Sequence, residues 1–353
     1  MLLEGKRVLV TGGTGSMGKV LVRRILSGEL GTPDKVIVFS RDEAKQHDMR
    51  MTYQHRTAAT DEVIYRNFQN ILEFRIGDVT NYDEICSALR DADIVANAAA
   101  LKQVPTCEYF PLQALRTNCL GPSNIVRAIR ENRLPIETVV GISTDKACKP
   151  VNVMGMTKAL QERIFLSANV LIPDTRFLCV RYGNVLASRG SVIPVFHDQI
   201  RKGGPLTVTV PEMTRFLLSI NEAVDTVFAA LRDGRAGDIF VPIIPSATVL
   251  NVAKALIGDR NLEIRVTGIR PGEKMHEILI SEEEHHRVVR RGDYYVVQCV
   301  LPEVRSGEEA GPALEREFSS ADCVLGLDDT AELLARHDLM VEDVSVEEGE
   351  LLR

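Results

Sequence analysis

A doubly wound α/β fold, with a parallel sheet, helices on both faces and a smaller interleaved C-terminal substrate lobe, follows from three features of this 353-residue sequence. Short apolar runs alternate with longer amphipathic stretches through the first half. A glycine-rich turn leaves the first of those runs directly. The alternation then stops beyond Arg181. Strand-helix alternation of this kind predicts crossover units around a parallel sheet.

The apolar runs are Val8-Leu9-Val10, Val36-Ile37-Val38-Phe39, residues 72–76, Ile94-Val95-Ala96, Val139-Val140-Gly141-Ile142 and residues 177–180. All are short, and each reads as a buried parallel strand. Residues 113–131 and 154–168 carry helical patterns between them. Residues 57–70 are polar and aperiodic, which predicts a surface insertion before the third strand. Past Arg181, Gly203-Gly204-Pro205 and Arg270-Pro271-Gly272 punctuate shorter elements. Residues 221–233 read as a helix returning to the first lobe. The expected division is a dinucleotide-binding domain over 1–188, rejoined by 216–240, with a substrate lobe over 189–215 and 241–330. Asp328-Asp329-Thr330 can cap a short helix to His337, and an acidic tail completes the segment 331–353. Glu282-Glu283-Glu284-His285-His286 reads as a solvated, charged helix end and not as a metal site.

Composition narrows the partners. A net charge of -7 opposes binding to a phosphate backbone, and the absence of Trp with only 5% aromatics leaves little for stacking on single strands. Seven cysteines without a C-x-x-C pair read as reduced, mostly buried thiols in a cytoplasmic setting. No stretch reads as a signal peptide, and no apolar run approaches the ~18 residues of a membrane span. No metal site is expected.

The first strand runs into Thr11-Gly12-Gly13-Thr14-Gly15-Ser16-Met17-Gly18, with a helix from Lys19. Glycines at positions 12, 15 and 18 let the backbone turn tightly and approach a pyrophosphate, and the helix N-terminus supplies free N–H groups. This is a Rossmann dinucleotide site, with Thr14, Ser16 and Met17 in the loop. After the second strand the chain reads Ser40-Arg41-Asp42, with Lys45 one turn later. Ser40 and Arg41 suit a ribose 2′-phosphate, which favours NADP, whereas Asp42 would suit the 2′-hydroxyl of NAD. Asp78 and Val79, ending the third strand, are placed at the adenine, with a helix cap as the alternative for Asp78.

Five further motifs follow in order: residues 97–105, which include Ala98-Ala99-Ala100-Leu101-Lys102, then Ser143-Thr144-Asp145-Lys146-Ala147, Arg181-Tyr182-Gly183-Asn184-Val185, Met213-Thr214-Arg215-Phe216, and Arg270-Pro271-Gly272-Glu273-Lys274. Together they resemble the extended short-chain dehydrogenase/reductases. More narrowly, the chain resembles the soluble UDP-N-acetylglucosamine 4,6-dehydratases that invert C5, from about Lys6 to about Tyr295. The resemblance implies a redox-neutral lyase: C4 is oxidised, water leaves across C5–C6, and the hydride returns to C6. It further implies a homo-oligomer, dimer or hexamer, acting on UDP-N-acetylglucosamine or a close UDP-sugar.

By that resemblance Asp145 is the acid at C6, Lys146 the base at C5 and Thr144 a partner of the C4 oxygen. Lys146 must become neutral to act as a base. The alternative is a Thr-Asp helix cap with a surface lysine. The Tyr-x-x-x-Lys pair usual in the superfamily reads Met154-Gly155-Met156-Thr157-Lys158 here. Lys158 can hold the nicotinamide ribose, but Met154 cannot accept a proton, so the base for C4 oxidation is left open among Lys146, Asp145 and a water on Thr144. Ala98, Ala99, Ala100 and Asn118 are carried over to the cofactor. Lys102, Arg181, Asn184, Ser191, Val192, Arg215, Arg270 and Glu273 are carried over to the nucleotide sugar, the arginines 215 and 270 facing its diphosphate. A retaining dehydratase, a UDP-sugar 4-epimerase and a non-catalytic NADP-sensing protein are the competing readings.

Overall fold

A computed structural model describes residues 1–54, 68–186, 191–305 and 312–343. The expected insertion at 57–70 and the acidic tail therefore fall largely outside the described residues. All six apolar runs form strands: β1 (Arg7–Thr11), β2 (Lys35–Ser40), β3 (Leu72–Ile76), β4 (Ile94–Asn97), β5 (Thr138–Ile142) and β6 (Arg176–Val180). The remaining strands are β7 (Asn184–Val185), β8 (Leu206–Val208), β9 (Thr214–Leu218), β10 (Ile239–Pro242), β11 (Ser246–Thr248), β12 (Ile264–Val266), β13 (Ile278–Ile280), β14 (Val288–Arg291), β15 (Tyr294–Val297) and β16 (Phe318–Ser319).

The main sheet runs β14-β15-β10-β6-β5-β4-β1-β2-β3. It is parallel from β10 to β3, and β15 and β14 add antiparallel at one edge. Val8, Leu9, Val10, Val36, Ile37 and Val38 are buried at its centre, covered on both faces. The chain order reverses between β1 and β4, which opens a crevice at the C-terminal ends of those strands.

The helix Ile220–Asp233 does return to this sheet. A capping box of Ser219 and Glu222 starts it. Arg24, on the helix Ser16–Leu26, anchors it through Asn221 O at 2.8 Å and Asp225 at 2.7 Å. Two boundaries differ from expectation. β9 stays in a small β11-β9-β7 sheet, so the return begins only at Ser219. Residues 288–297, expected in the substrate lobe, pair with β10 and extend the main sheet. The second lobe has its own core around Phe196, Leu206, Val208 and Leu256. Its terminal helix, Leu327–Arg336, starts on Gly326 with no side-chain cap, so Asp328 and Asp329 favour the helix dipole without capping.

Arg181, expected at the substrate, instead joins the lobes. It lies directly after β6, 2% exposed, and its guanidinium meets Glu162 on the helix Val153–Leu171 at 2.7 Å and Glu284 of the second lobe at 2.8 Å. A third bond reaches Leu279 O at 2.8 Å. A guanidinium filled by two carboxylates has no donors left for a diphosphate. The same contact corrects the reading of residues 282–286, because Glu284 is buried and not solvated. Although burial opposes its charge, Arg181 holds the Glu284 carboxyl down at about 2. Arg181→Met would strand two buried carboxylates and lower unfolding stability by roughly 3–5 kcal/mol, read from the urea midpoint. Because the folded pKa of Glu284 lies below its ordinary 4.5, its contribution is complete above 4.5 and fades as pH falls toward about 2. Glu284→Gln should therefore flatten the acid-unfolding curve across that window.

Candidate active site

The glycine loop shapes the first cavity, about 740 Å³ in volume. Gly12 sits at φ +65°, and a Cβ there would lie 2.8 Å from Ala99 Cα. A Cβ on Gly18 would lie 2.5 Å from Gly13 Cα. The loop therefore packs directly on the residues after β4, and only glycine permits it. Gly15 is the N-cap of the helix Ser16–Leu26, with no side-chain cap and no acidic residue in the first turn. Its free N–H groups and positive dipole end suit a pyrophosphate. Thr14, Ser16, Met17, Ser40, Arg41, Asp42, Lys45, Asp78, Val79, Ala98, Ala99 and Ala100 line the same cavity. A dinucleotide fits these residues: the cradle is one that any Cβ would fill.

At the far end, Thr14 and Ser40 hydroxyls meet at 2.8 Å and tie the loop to β2. Asp42 is engaged by Lys45, both through its backbone N–H at 3.0 Å and through the ammonium, which holds the carboxyl below its usual range. Arg41 keeps a largely exposed side chain, 3.3 Å from Asp78. The helix cap weighed for Asp78 falls to Asn81, which accepts from Asp83 N and Glu84 N.

Two residues carried over to the cofactor lie elsewhere. Asn118 is fully buried and spends its amide on Leu101 N, Leu101 O and the Thr157 hydroxyl, at 2.8, 2.9 and 3.0 Å. It pins the loop after β4 and leaves nothing to offer a ligand. Lys158 is 6% exposed and donates to Ile142 O at 2.6 Å and Gln161 at 2.8 Å. Burial brings its amine down to about 8. Met154, one turn before it, is buried against Cys107 and Ala114.

The chemistry concentrates at the end of β5. Asp145 N donates to Tyr182 O at 3.0 Å, which extends the strand pairing into a single 3-10 turn, Asp145–Ala147. Thr144 caps that turn and donates its hydroxyl to Asp145 Oδ1 at 2.8 Å. The cap is thus real, but the lysine is no surface lysine. Its side chain is 20% exposed, with Nζ 3.0 Å from Asp145 Oδ1 and 3.6 Å from Glu277 Oε1. Burial opposes the Lys146 charge, yet the carboxylates of Asp145 and Glu277 outweigh it and hold the amine above its usual pKa. In this arrangement Lys146 is an ammonium, and the neutral form that a base requires is disfavoured. Gly155 makes the turn possible, because a Cβ there would sit 2.1 Å from Lys146 O.

Glu277 was missed in the sequence. It follows the Arg270-Pro271-Gly272-Glu273-Lys274 motif by three residues and is 3% exposed. The signal available in the sequence was only a carboxylate three residues past that motif.

The second cavity, about 200 Å³, collects Asn184, Ser191, Val192, Arg215, Arg270 and Glu273, six of the eight residues carried over to the substrate. Arg215 lies with Nε 3.9 Å from Glu277, connecting this cavity to the ionisable cluster. Leu186 lines both cavities, and Lys102 lines the dinucleotide cavity. Among the described residues, the buried polar side-chain atoms without a partner are Asn97 Nδ2, Asp145 Oδ2, Asn184 Oδ1, Ser191 Oγ and Glu277 Oε2. Asn184 and Ser191 line this cavity, and Asp145 and Glu277 belong to the ionisable cluster beside it, as expected where a polar ligand completes the hydrogen bonding. Among the described residues no cluster of metal-ligating side chains occurs, and no helix is long and apolar enough to cross a membrane.

A Rossmann sheet with a glycine-rich cleft that fits a dinucleotide, beside a polar cavity and an Asp-Lys pair, is the fold of the extended short-chain dehydrogenase/reductases. The chain belongs to the polysaccharide biosynthesis protein family, whose match covers residues 8–299. It is 41% identical over 350 residues to a UDP-glucose 4-epimerase of Rickettsia bellii, covering 96% of this chain and 98% of that one. A UDP-glucose 4-epimerase of Rickettsia canadensis is 45% identical over 296 residues, 82% of each chain. The solved structure of Pen from Bacillus thuringiensis superposes with a TM-score of 0.84 at 30% identity, covering 96% of this chain and 100% of that one. The dTDP-glucose 4,6-dehydratase DesIV from Streptomyces venezuelae shares the fold, with a TM-score of 0.64 at 20% identity over 76% of this chain and 86% of that one.

Gly18→Ala should weaken dinucleotide binding by at least about tenfold by calorimetry, because the added Cβ displaces the loop that meets the pyrophosphate.

Proposed function

We propose that this enzyme dehydrates UDP-N-acetylglucosamine across C4–C6, with inversion at C5 and NADP held throughout the turnover. The observation that carries this reading is the Asp145–Lys146 pair, hydrogen-bonded at 3.0 Å, with Asp145 fully buried and its Oδ2 left unpartnered. Elimination needs an acid for the departing C6 oxygen and a base for the C5 proton, side by side. Epimerisation at C4 needs a single group that shuttles one proton at the C4 oxygen. The pair suits the two-proton task, and Met154 removes the tyrosine that a simple C4 shuttle would use.

When bound, the dinucleotide would supply the oxidation at C4 and the reduction at C6. Ser40 and Arg41 support NADP: Asp42 is occupied by Lys45, which leaves the exposed Arg41 as the charge at the ribose. Thr144 would bond the C4 oxygen. Arg215 and Arg270 would meet the diphosphate and Glu273 the uridine ribose, since all three line the cavity that holds Asn184 and Ser191. Lys102, on the dinucleotide side, would reach the sugar at the border marked by Leu186. Inversion rests on the motif resemblance.

The second reading is 4-epimerisation of UDP-glucose, favoured by the names of the Rickettsia relatives. The two are separated by mass. Incubation with UDP-N-acetylglucosamine should give a product lighter by one water, whereas an isobaric 4-epimer from either UDP-sugar would overturn dehydration. Lys146→Ala should lower turnover by about 100-fold or more, and native turnover by this variant would sink the mechanism. Arg41→Ala should cut the preference for NADP over NAD by about tenfold in cofactor titrations.

A further inference from the structure

Dehydration imposes a proton count. Two protons leave the sugar, from the C4 hydroxyl and from C5, and two return, one to the C6 oxygen and one to C5. Electrons balance within the sugar, with C4 oxidised and C6 reduced. The site must therefore hold two extra protons for part of the cycle. Lys146 starts protonated beside two carboxylates. Asp145 and Lys146 together then offer one vacant position, on Asp145. A tyrosine at position 154 would be the natural second, but methionine stands there and is buried in an apolar cluster.

Glu277 stands where the missing position is needed. It is 3% exposed, comes from the second lobe, and places Oε1 3.6 Å from Lys146 Nζ, a gap that a small side-chain rotation closes. Its Oε2 is buried without a partner. Its backbone N–H is fixed by the Ser320 hydroxyl at 2.9 Å, which in turn meets Thr214 at 2.6 Å. A carboxylate so held, with one oxygen unsatisfied, is costly unless something is gained at the site.

Building on the dehydratase reading, we propose that Glu277 is the proton-accepting partner of Lys146 and replaces the proton capacity lost with Met154. The C4 hydroxyl proton goes to Asp145. The Lys146 proton passes to Glu277, and the amine so formed takes the proton from C5. Asp145 then protonates the C6 oxygen as the C6–O bond breaks and water leaves. C5 is reprotonated on its opposite face by a water, the Glu277 proton is released to that water in exchange, and the cluster returns to its single resting proton. Glu277 acts through Lys146 and does not touch the sugar. The other groups facing it are Arg215, 3.9 Å from Oε1, and His276, bonded to Thr214 at 2.8 Å.

The test is Glu277→Gln, which keeps shape and polarity but cannot take a proton. With UDP-N-acetylglucosamine, kcat should fall about 100-fold or more while KM stays within about threefold. Deuterium uptake at C5 in heavy water should fall in parallel. With no acceptor at position 277, turnover needs Lys146 neutral at the start, so the rising limb of the pH profile should move to higher pH, toward the titration of the amine. Glu277→Asp, with the charge on a shorter arm, should restore part of the rate and move the limb back. If Glu277→Gln does not fold, Glu277→Asp alone carries the test: a lowered kcat with KM unchanged supports the assignment, and a native kcat overturns it. A native protein that dehydrates, with Glu277→Gln within about threefold of its rate and its pH limb unmoved, overturns the Glu277 role alone. A native protein that epimerises without losing water overturns the dehydratase reading, and the extra-proton argument with it.

Discussion

Three buried charges set the geometry of this enzyme: the Arg181 guanidinium between Glu162 and Glu284. Arg181 follows β6, Glu162 lies on the helix behind β5, and Glu284 belongs to the second lobe. Glu162 also accepts from the Ser143 hydroxyl, one residue before Thr144. Arg181 also donates to Leu279 O, two residues after Glu277. One desolvated cluster thereby fixes both the turn that carries Asp145 and Lys146 and the segment that carries Glu277. Removing either partner strands a charge in a low-dielectric interior, so the lobes are held in one register.

Around that anchor the site divides by lobe. The Rossmann sheet supplies the glycine cradle and the Asp145–Lys146 turn, both at the C-terminal ends of strands. The second lobe supplies Arg215, Arg270, Glu273 and the buried Glu277. Neither half is complete alone. Lys146 takes its protonation state from one carboxylate of each lobe, so its acid-base behaviour is a property of the interface. Gly155 allows this packing by letting a helix approach the Lys146 carbonyl without a side chain between them.

Much of this was legible in the sequence, and the misses share a cause. All six early strands, the glycine loop and the returning helix follow from local apolar pattern and turn chemistry, which act over a few residues. Arg181 and Arg215 look alike in sequence, each an arginine inside a recognisable motif. In the structure, one is filled by buried carboxylates and the other borders a cavity. Asn118 and Lys158 likewise carry suitable chemistry but spend it on backbone and neighbouring side chains. Hydrogen-bond partners distant in sequence decide such cases, and no local pattern records them.

By itself, then, the sequence determined the doubly wound sheet, the dinucleotide cradle and the Thr144-Asp145-Lys146 turn, because backbone propensity and spacing dictate each. The tertiary structure alone decided which charges face ligand and which are consumed inside. It sent residues 288–297 to the main sheet, turned Arg181 into a lobe clamp and brought Glu277, 131 residues after Lys146 in the numbering, to within 3.6 Å of its amine. Burial and electrostatic pairing are cooperative, long-range quantities. They exist only once the two lobes have met.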